Sequence, residues 1–311
     1  MGSPPLSPHD SVAYLNGEFI SLREARLPIW DLGIVTAATV TEAIRTFRGQ
    51  PYRLERHLGR LEASLQGIGI RPCESIDQIG HLVGELARFN GGPAGVGREL
   101  VINVFITAGE SEVHSAGLAV HPGRPTVCVS SRPLDDRSCA AQYAQGLALS
   151  VPSVRHIPAA IIDPHIKYRS RLHWYLADQE SRRIDPGSEA LLLDLDGYVT
   201  ETSRGNIFGV FQNELKTPSA ATTLAGVSQE VVLELAGPLG LRASRSNMTV
   251  EEIASADEIL LSSTTACLVP VTRLNQAPVG SGKPGPIWRR LIDAWSASVG
   301  VDIVQQALSA Q

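Results

Sequence analysis

Residues 163–180, with the sequence DPHIKYRSRLHWYLADQE, join an extended stretch to an amphipathic helix and carry Lys167 at the junction. Only three of the 27 basic residues are lysines, and the other two, Lys216 and Lys283, lie in turn-rich segments that favour solvent exposure. Ile166 and the apolar side of the following helix favour burial of the Lys167 stem. Because a desolvated amine loses its proton more readily, Lys167 is the candidate nucleophile toward an aldehyde.

Glu201 lies in residues 198–208, YVTETSRGNIF, on a predicted strand that follows the hairpin signal Asp196-Gly197. A carboxylate between apolar neighbours such as Val199 and Ile207 is costly to bury without a partner. A protonated pyridine nitrogen is one such partner, and the carboxylate would keep that ring cationic. A solvent-exposed strand glutamate is the alternative interpretation.

Two segments have the composition of anion-binding turns. Residues 224–228, LAGVS, lead into a predicted helix, where backbone N–H groups can point at a phosphate. Residues 262–265, SSTT, follow a predicted strand and offer four hydroxyl groups. Arg60, on the first predicted amphipathic helix, is the candidate positive charge. Together with Lys167 and Glu201, these features specify an aldehyde-bearing, phosphorylated pyridine, which is pyridoxal 5′-phosphate (PLP).

These features also occur in a familiar order, which resembles that of the class IV aminotransferases. This family of fold-type IV PLP enzymes includes branched-chain and D-amino-acid aminotransferases and aminodeoxychorismate lyase. The matching motifs are H-x-x-R-L at 57–61, L-A-x-Q-E at 176–180, T-E-x-S-x-x-N-x-F at 200–208, G-V-S at 226–228 and S-T-T-A-x-x-x-P-V at 263–271. The resemblance runs from about Tyr14 to the C-terminal helix. It implies an α/β (α+β) fold of two mixed α/β domains with the cofactor site between them.

The resemblance implies a role for each matching residue. Lys167 would form the Schiff base with PLP and Glu201 would pair with the pyridine nitrogen, so these two are the candidate catalytic residues. The implied cofactor-binding residues are Arg60, Lys167, Glu201, Val227, Ser228, Thr264 and Thr265. No metal site is expected, because the four cysteines form no C-x-x-C pair.

Positions that contact the substrate in the family carry different residues in this chain. The tyrosine of the D-amino-acid enzymes falls at Thr41, and their arginine–histidine pair falls near 113–115, where no arginine occurs. The tyrosine and arginine of the branched-chain enzymes fall at Val101 and Asn103, and the catalytic threonine of the lyase falls at Ala43. The candidate substrate residues are therefore Arg45, Thr41 and His114. Branched-chain enzymes also keep an arginine at the position of Arg45.

The resemblance favours an aminotransferase that moves an amino group between an amino acid, or an amine, and a 2-oxo acid. Its substrates would be branched-chain-like or D-amino-acid-like. A lyase of the aminodeoxychorismate type, which releases pyruvate, and an (R)-selective amine transaminase are the alternative reactions. A protein that carries PLP without turnover is the alternative from another functional class. Donor–acceptor assays separate them, since transamination yields two products, elimination yields pyruvate and a carrier yields neither.

Composition narrows the range of partners. A net charge of −5 and a pI near 5.9 give no basic field for nucleic acid or anionic lipid. No apolar run reaches the roughly 18 residues of a spanning helix, and residues 1–11 lack the regions of a secretory signal. We therefore expect a cytoplasmic protein without nucleic-acid or membrane partners, which binds an amino donor and a 2-oxo acid acceptor. The family resemblance implies a homodimer.

Periodicity predicts a chain in which strands and helices are interspersed. The predicted helices are 54 to about 67–69, 75–89, 169–183, 228–236 and 286–299, and the longer predicted strands are 99–107, 126–131, 147–154 and 258–263. Residues 132–140, RPLDDRSCA, are polar and turn-rich. We therefore expect a smaller N-terminal α+β domain at 1–131, a linker at 132–140 and a larger C-terminal PLP-binding domain at 141–311.

Overall fold

The computed structural model describes residues 11–92 and 98–309, which form two compact units. The first unit comprises the described residues up to Leu134 together with Ile166–Ser170. The second unit comprises Asp135–His165 and the described residues from Arg171 onward. The first ten residues of the predicted N-terminal domain lie outside the described part of the chain. The segment that contains Lys167 thus belongs to the first unit, although the sequence suggested that it belongs with the C-terminal residues.

The first unit is built on a six-stranded antiparallel sheet. Its strands are β1 (Val12–Leu15), β2 (Glu18–Ser21), β3 (Thr39–Phe47), β4 (Gln50–Pro51), β5 (Leu100–Thr107) and β6 (Thr126–Pro133). They lie in the order β2-β1-β6-β5-β3-β4. The long central strands are rich in β-branched residues, which suit a pleated and buried surface.

Strand β3 separates two sets of side chains. Because successive residues of a strand point to opposite faces, Thr41, Ala43 and Arg45 share one face, and Glu42 and Ile44 share the other. Every one of these side chains except that of Ala43 is buried. One strand therefore supplies polar side chains to both faces of the sheet.

Three helices are described in the first unit. They are α1 (Leu32–Val35), α2 (Leu54–Ile68) and α3 (Ile76–Gly91). The apolar faces of α2 and α3 pack with the sheet in one core cluster that includes Ile44, Leu61 and Ile79. Helix α3 begins with a capping box, in which the Gln78 N–H donates to the Ser75 hydroxyl and the Ser75 N–H donates to the Gln78 side chain. The predicted bounds of both longer helices are confirmed to within two residues.

Residues Ile166–Ser170 run beside β3 in an extended conformation. The Thr41 N–H donates to the Lys167 carbonyl at 2.9 Å, and the Arg169 N–H donates to the Thr39 carbonyl at 3.1 Å. This pairing commits the backbone of Lys167 and Arg169 to the sheet. The following helix begins at Leu172 rather than at 169 for that reason, which corrects the predicted helix start.

The second unit is built on a nine-stranded mixed sheet. Its strands are β7 (Leu147–Ser150), β8 (Glu189–Leu193), β9 (Val199–Thr202), β10 (Asn206–Phe211), β11 (Glu214–Thr217), β12 (Arg242–Arg245), β13 (Glu258–Ser263), β14 (Cys267–Leu274) and β15 (Ala277–Pro278). The order is β12-β11-β10-β13-β14-β7-β8-β9, and β15 pairs with β14. Strand β9 also pairs with β10 through Glu201 and Asn206, so the end of the sheet returns to an inner strand.

Six α-helices are described in the second unit. They are α4 (Asp136–Gln145), α5 (Leu172–Ile184), α6 (Val227–Ala236), α7 (Val250–Ala254), α8 (Pro286–Val299) and α9 (Ile303–Ser309), and a short 3₁₀ turn covers Gly237–Leu239. Helix α4 occupies part of the predicted linker at 132–140. The acidic residues there looked like a turn, but the Asp135 side chain caps the helix by accepting the Ser138 N–H at 3.1 Å.

Three further observations concern membrane-spanning helices, metal sites and cysteines. Within residues 11–92 and 98–309, no helix is long and apolar enough to cross a membrane. In the same part of the chain, no group of three or more His, Cys, Asp and Glu side chains could hold a metal ion. Within the described residues, none of the four cysteines forms a disulfide bond.

Candidate active site

Lys167 is held between the sheet and helix α2 of the first unit. Its carbonyl accepts from β3, as described above, and its own N–H donates to the Ser64 hydroxyl on α2 at 3.1 Å. The Gly67 Cα on the same helix faces the Ile166 side chain so closely that an added Cβ would lie 2.9 Å from it. The backbone of Lys167 is therefore fixed from two sides, which orients the side chain.

Arg60 belongs to a buried group of charged side chains on the opposite face of β3 from Arg45. Its Nε donates to Glu42 Oε1 at 2.7 Å and its Nη2 donates to Glu42 Oε2 at 2.8 Å. His57 Nδ1 lies 2.8 Å from Glu42 Oε2, and because a carboxylate only accepts, this nitrogen carries the hydrogen. We call Glu42, His57 and Arg60 the Glu42 cluster. The arrangement makes Arg60 an anchored residue, not a surface arginine.

The Glu42 cluster has one ionised carboxylate and one neutral imidazole. Burial by itself raises the pKa of Glu42, but the charge and hydrogen bonds of Arg60 and the hydrogen bond from His57 outweigh it and lower the pKa to about 2. Burial lowers the pKa of His57, although Glu42 acts in the opposite direction, and the charges of Arg60 and Lys167 lower it further. The guanidinium is thus balanced by one carboxylate, and the cluster serves to orient it.

Glu201 is a carboxylate of the second unit that neighbouring nitrogen groups hold in place. It lies on β9 opposite Asn206 on β10, and only 12% of its side chain is exposed. Asn206 Nδ2 donates to Glu201 Oε2 at 3.1 Å, and His156 Nε2 lies 3.4 Å from Oε1. The alternative interpretation of a solvent-exposed strand glutamate is therefore wrong. Each carboxylate oxygen faces a nitrogen, so the orientation of the carboxylate is defined.

Asn206 connects Glu201 to the start of helix α6. The Asn206 Nδ2 also donates to the Leu224 carbonyl at 2.9 Å. Gly226, the residue before α6, lies against Asn206 Oδ1 so closely that a Cβ could not fit there. Helix α6 has no side-chain cap at its N-terminus. Its first-turn N–H groups include those of Val227 and Ser228, and such groups at a helix N-terminus can bind an anion.

The SSTT segment ends strand β13 beside the same strand pair. Asn206 pairs with Ser262 across β10 and β13. The Ser262 hydroxyl is buried and has no hydrogen-bond partner among the described residues. Buried hydroxyl groups are normally paired, so an unpaired one beside an uncapped helix start fits a phosphate-bearing cofactor. The donor set of the second unit therefore suits PLP, with a carboxylate for the ring nitrogen and N–H and hydroxyl donors for a phosphate.

The three candidate substrate residues are already engaged in different ways. The Thr41 hydroxyl donates to the Val104 carbonyl at 3.0 Å and is buried. The Arg45 guanidinium lies 4.1 Å from the centre of the Phe47 ring, and the residue is 3% exposed. The exposed His114 lies 2.8 Å from the Ser111 hydroxyl through Nδ1.

The sequence did not reveal the partners that orient the candidate residues. Glu42 lies in the same TEAIR segment as Arg45, and its position between buried apolar residues on β3 was the signal that could have identified it. Asn206 lies in the motif that contains Glu201, where its spacing gives its position but not its contact. His156 carries no recognisable motif, and only the fold brings it to Glu201.

The chain matches a known family over most of its length. Residues 39–274 match the family described as Amino-transferase class IV. The chain is 28% identical over 282 residues to a putative branched-chain-amino-acid aminotransferase of Methanocaldococcus jannaschii, which covers 89% of this chain and 93% of that protein. It is also 28% identical to a D-alanine aminotransferase of Bacillus licheniformis (91% and 95% covered) and to an aminodeoxychorismate lyase of Bacillus subtilis (86% and 88% covered).

Solved structures show the same fold. The branched-chain amino acid aminotransferase of Escherichia coli has a TM-score of 0.83 and 25% identity, with 94% of each chain covered. The T.th. branched-chain amino acid aminotransferase with pyridoxamine 5′-phosphate has a TM-score of 0.82 and 23% identity, with 94% of this chain and 95% of that chain covered. The protein therefore belongs to the class IV aminotransferases, fold-type IV enzymes that use PLP to transfer amino groups between amino acids and 2-oxo acids.

Proposed function

We propose that Lys167 is the residue that binds PLP covalently and moves the proton during transamination. Its Nζ would be the amine that holds the aldehyde carbon of the cofactor covalently until a substrate amine takes that position. The freed amine would then accept the proton from the substrate α-carbon as general base. The fixed Lys167 backbone supports this role, because it limits where Nζ can reach.

PLP, when bound, supplies an electron sink for the charge left at the substrate α-carbon. Glu201 would accept a hydrogen bond from the ring nitrogen and keep that nitrogen protonated. The observation that carries the proposal is the Glu201 carboxylate itself, largely buried, with Asn206 on one oxygen and His156 near the other. Because its side chain is already held in one orientation, the carboxylate loses little conformational entropy when it binds a cationic ring.

We propose that the phosphate is bound by an anchored arginine and by donors at two chain turns. Arg60, held by Glu42, would supply a charge-assisted hydrogen bond. Val227 and Ser228 would donate from the start of α6, and Thr264 and Thr265 would donate from the turn that follows β13. The uncapped helix start and the unpaired Ser262 hydroxyl, within the described residues, support this assignment.

The substrate class that we propose is an amino acid of the branched-chain or D-amino-acid type, with a 2-oxo acid as acceptor. Relatives of both types match about nine-tenths of the chain. Arg45 is the proposed carboxylate contact, with Thr41 and His114 as the other candidates. The homodimer and the cytoplasmic location stay predictions.

The proposed function is tested with purified protein, PLP and a panel of L-amino acids, D-amino acids and 1-phenylethylamine, each paired with 2-oxo acids. We expect a new amino acid and a new oxo product in equal amounts. Lys167→Ala should abolish turnover and the visible absorption of the bound cofactor, whereas Lys283→Ala, an exposed control, should retain both. Borohydride should fix the cofactor on the peptide that contains Lys167. Fixation at Lys216 or Lys283 would refute the assignment.

A lyase that releases pyruvate is the second candidate, favoured by the match to the aminodeoxychorismate lyase of Bacillus subtilis. In this reaction the same residues would serve, but the substrate would eliminate pyruvate without an oxo-acid acceptor. The residue at the position of the lyase's catalytic threonine is Ala43, which argues against it. Pyruvate formed without an added acceptor would establish the lyase, and pyruvate formation that depends on an acceptor would exclude it.

A further inference from the structure

A compact group of aromatic and ionisable side chains lies beside Glu201 in the second unit. It consists of His156, His173, Trp174 and Glu201, and we call it the His156 cluster. The His156 ring contacts the Trp174 ring at 5.6 Å between centroids and the His173 ring at 6.0 Å, both in edge-to-face geometry. His156 is 6% exposed. The contacts of His173 and Trp174 fix the His156 ring in the position from which Nε2 faces Glu201 Oε1 at 3.4 Å.

The hydrogen positions on His156 follow from its two neighbours. Nδ1 lies 3.0 Å from the Ile157 carbonyl, and a carbonyl only accepts, so Nδ1 carries a hydrogen. A neutral imidazole carries only one hydrogen, which would leave a lone pair on Nε2 against an ionised Glu201 oxygen. This contact is repulsive. The geometry becomes attractive when Nε2 also carries a hydrogen, because His156 is then a cation at ion-pair distance from a carboxylate.

Two other basic side chains lie around the His156 cluster. Burial, together with the charges of His156 and Arg171, lowers the pKa of His173 to about 4, so His173 is neutral at neutral pH. Arg171 lies with its guanidinium 5.8 Å from the Trp174 ring centre, and its Nη2 donates to the Ser203 carbonyl. Among the described contacts of Glu201, His156 is the basic side chain that faces Oε1.

We propose that His156 is a positioning residue which, as a doubly protonated cation, holds the Glu201 carboxylate fixed in orientation for the cofactor ring. This role rests on the proposed function of Glu201. Asn206 holds Oε2 and His156 faces Oε1, so the carboxylate is held from two directions. A carboxylate has about four acceptor sites, and these two contacts leave capacity for a third hydrogen bond. Without His156, the carboxylate could rotate away from the orientation that the ring requires.

The first experiment measures hydrogens on histidine nitrogens in full-length protein labelled with ¹⁵N-histidine and loaded with PLP. Long-range ¹H–¹⁵N correlation spectra distinguish protonated from unprotonated ring nitrogens, and His156→Gln assigns the signals of His156. We expect hydrogens on both nitrogens of His156 in the wild type at neutral pH. In Glu201→Gln, where the amide can donate to Nε2, we expect the Nε2 hydrogen to be lost. A wild-type His156 with only one protonated nitrogen would overturn the proposal.

The second experiment asks whether His156 acts on the cofactor through Glu201. We expect His156→Gln to raise the dissociation constant for PLP about tenfold, which corresponds to about 1.4 kcal/mol. In the Glu201→Gln background, His156→Gln should change the dissociation constant for PLP less than about twofold, because the effects of substitutions at two interacting residues are not additive. Trp174→Phe is the packing control and should leave His156 doubly protonated. An equal effect of His156→Gln in both backgrounds would mean that His156 does not act through Glu201.

The two experiments separate this inference from the proposed function. If Glu201→Gln binds PLP and turns over like the wild type, the proposed role of Glu201 fails, whatever the protonation of His156. If Glu201→Gln loses turnover but His156 is singly protonated in the wild type, only the role of His156 fails. The spectra of the wild type and of Glu201→Gln decide the protonation state even if His156→Gln does not fold, with the signals then assigned from Trp174→Phe shifts.

Discussion

Glu42 and Arg60 form a bidentate ion pair in the first unit, with Nε 2.7 Å from Oε1 and Nη2 2.8 Å from Oε2. Glu42 is 1% exposed, so this pair is shielded from water on the carboxylate side. A buried pair contributes little net stability, but removal of one partner leaves a buried charge without compensation. The substitution that tests Arg60 as a phosphate contact therefore also tests the fold.

We expect Arg60→Ala to destabilise the protein by about 3–5 kcal/mol, because it removes the charge partner of the buried Glu42 and leaves only the hydrogen bond from His57. The double variant Arg60→Ala/Glu42→Gln should recover most of this loss, since the buried charge is gone. Both variants should bind PLP about ten- to hundredfold more weakly than the wild type, because a charge-assisted bond to the phosphate is missing. Urea unfolding and PLP titration measure the two effects separately.

The exposed Arg56 on the same helix is the control for the loss of a positive charge. Arg56→Ala should change neither the free energy of unfolding nor the affinity for PLP. If the double variant binds PLP as tightly as the wild type, Arg60 is a structural residue and the phosphate is bound by other groups.

The Glu42 cluster also predicts an acid-sensitive fold. The pKa of Glu42 is lowered to about 2 in the folded state, so the unfolded chain binds a proton there more readily. Its contribution to stability is therefore complete above the ordinary glutamate pKa and is lost as the pH falls toward about 2. The lowered pKa of His57 also reduces the stability of the fold as the pH falls. This loss begins below the ordinary histidine pKa.

We therefore expect the free energy of unfolding to fall more steeply between pH 5 and pH 2 in the wild type than in Glu42→Gln. The variant has no carboxylate to protonate at this position, although its stability at neutral pH is lower because Arg60 loses its partner. Chemical unfolding at a series of pH values measures the slopes. Equal slopes in the two proteins would show that the pKa of Glu42 does not differ between the folded and the unfolded state.

The sequence points to candidate residues with chemistry of their own, but not to the residues that orient them. Lys167, Glu201 and the start of α6 have local signals, since rare lysines, a strand carboxylate and a glycine before a helix are visible within a few positions. The ion pair of Glu42 with Arg60 spans 18 positions, and the approach of His156 to Glu201 depends on how β9 enters the sheet. Such contacts are properties of the fold.

The local structure around Lys167 shows a second limit of sequence patterns. The apolar spacing after Lys167 predicted a helix from 169, but the backbone of Lys167 and Arg169 hydrogen-bonds to β3 instead. A tertiary pairing therefore overrides helix propensity for three residues. These three residues lie shortly after Lys167, the proposed covalent attachment site, so the difference concerns the backbone that positions the reactive lysine.

Glu201→Gln should retain bound PLP and lose most of the turnover. The glutamine side chain has nearly the same shape and keeps a contact to Asn206, but it cannot hold the ring nitrogen protonated. The charge matters most where negative charge develops at the substrate α-carbon, so kcat should fall more than KM changes. Steady-state kinetics together with the visible spectrum measure this split. Wild-type kcat in Glu201→Gln would show that the carboxylate has only a structural role.

The Arg45 side chain provides the test of substrate binding, because its guanidinium lies 4.1 Å from the Phe47 ring centre in a residue that is 3% exposed. A substrate carboxylate in the pocket requires donors, since an unpaired buried charge is strongly unfavourable. If Arg45 binds that carboxylate, Arg45→Ala should raise KM for amino acids and 2-oxo acids, with a smaller effect on kcat, as the loss of uniform binding predicts. Arg45→Lys keeps the charge, but lysine cannot form the bidentate contact. Its KM should therefore lie between that of the wild type and that of Arg45→Ala. Simple amines such as 1-phenylethylamine lack the carboxylate, so their KM should be the same in the wild type and in Arg45→Ala. Wild-type KM for every carboxylate substrate in Arg45→Ala would instead show that Arg45 serves the packing of Phe47 alone.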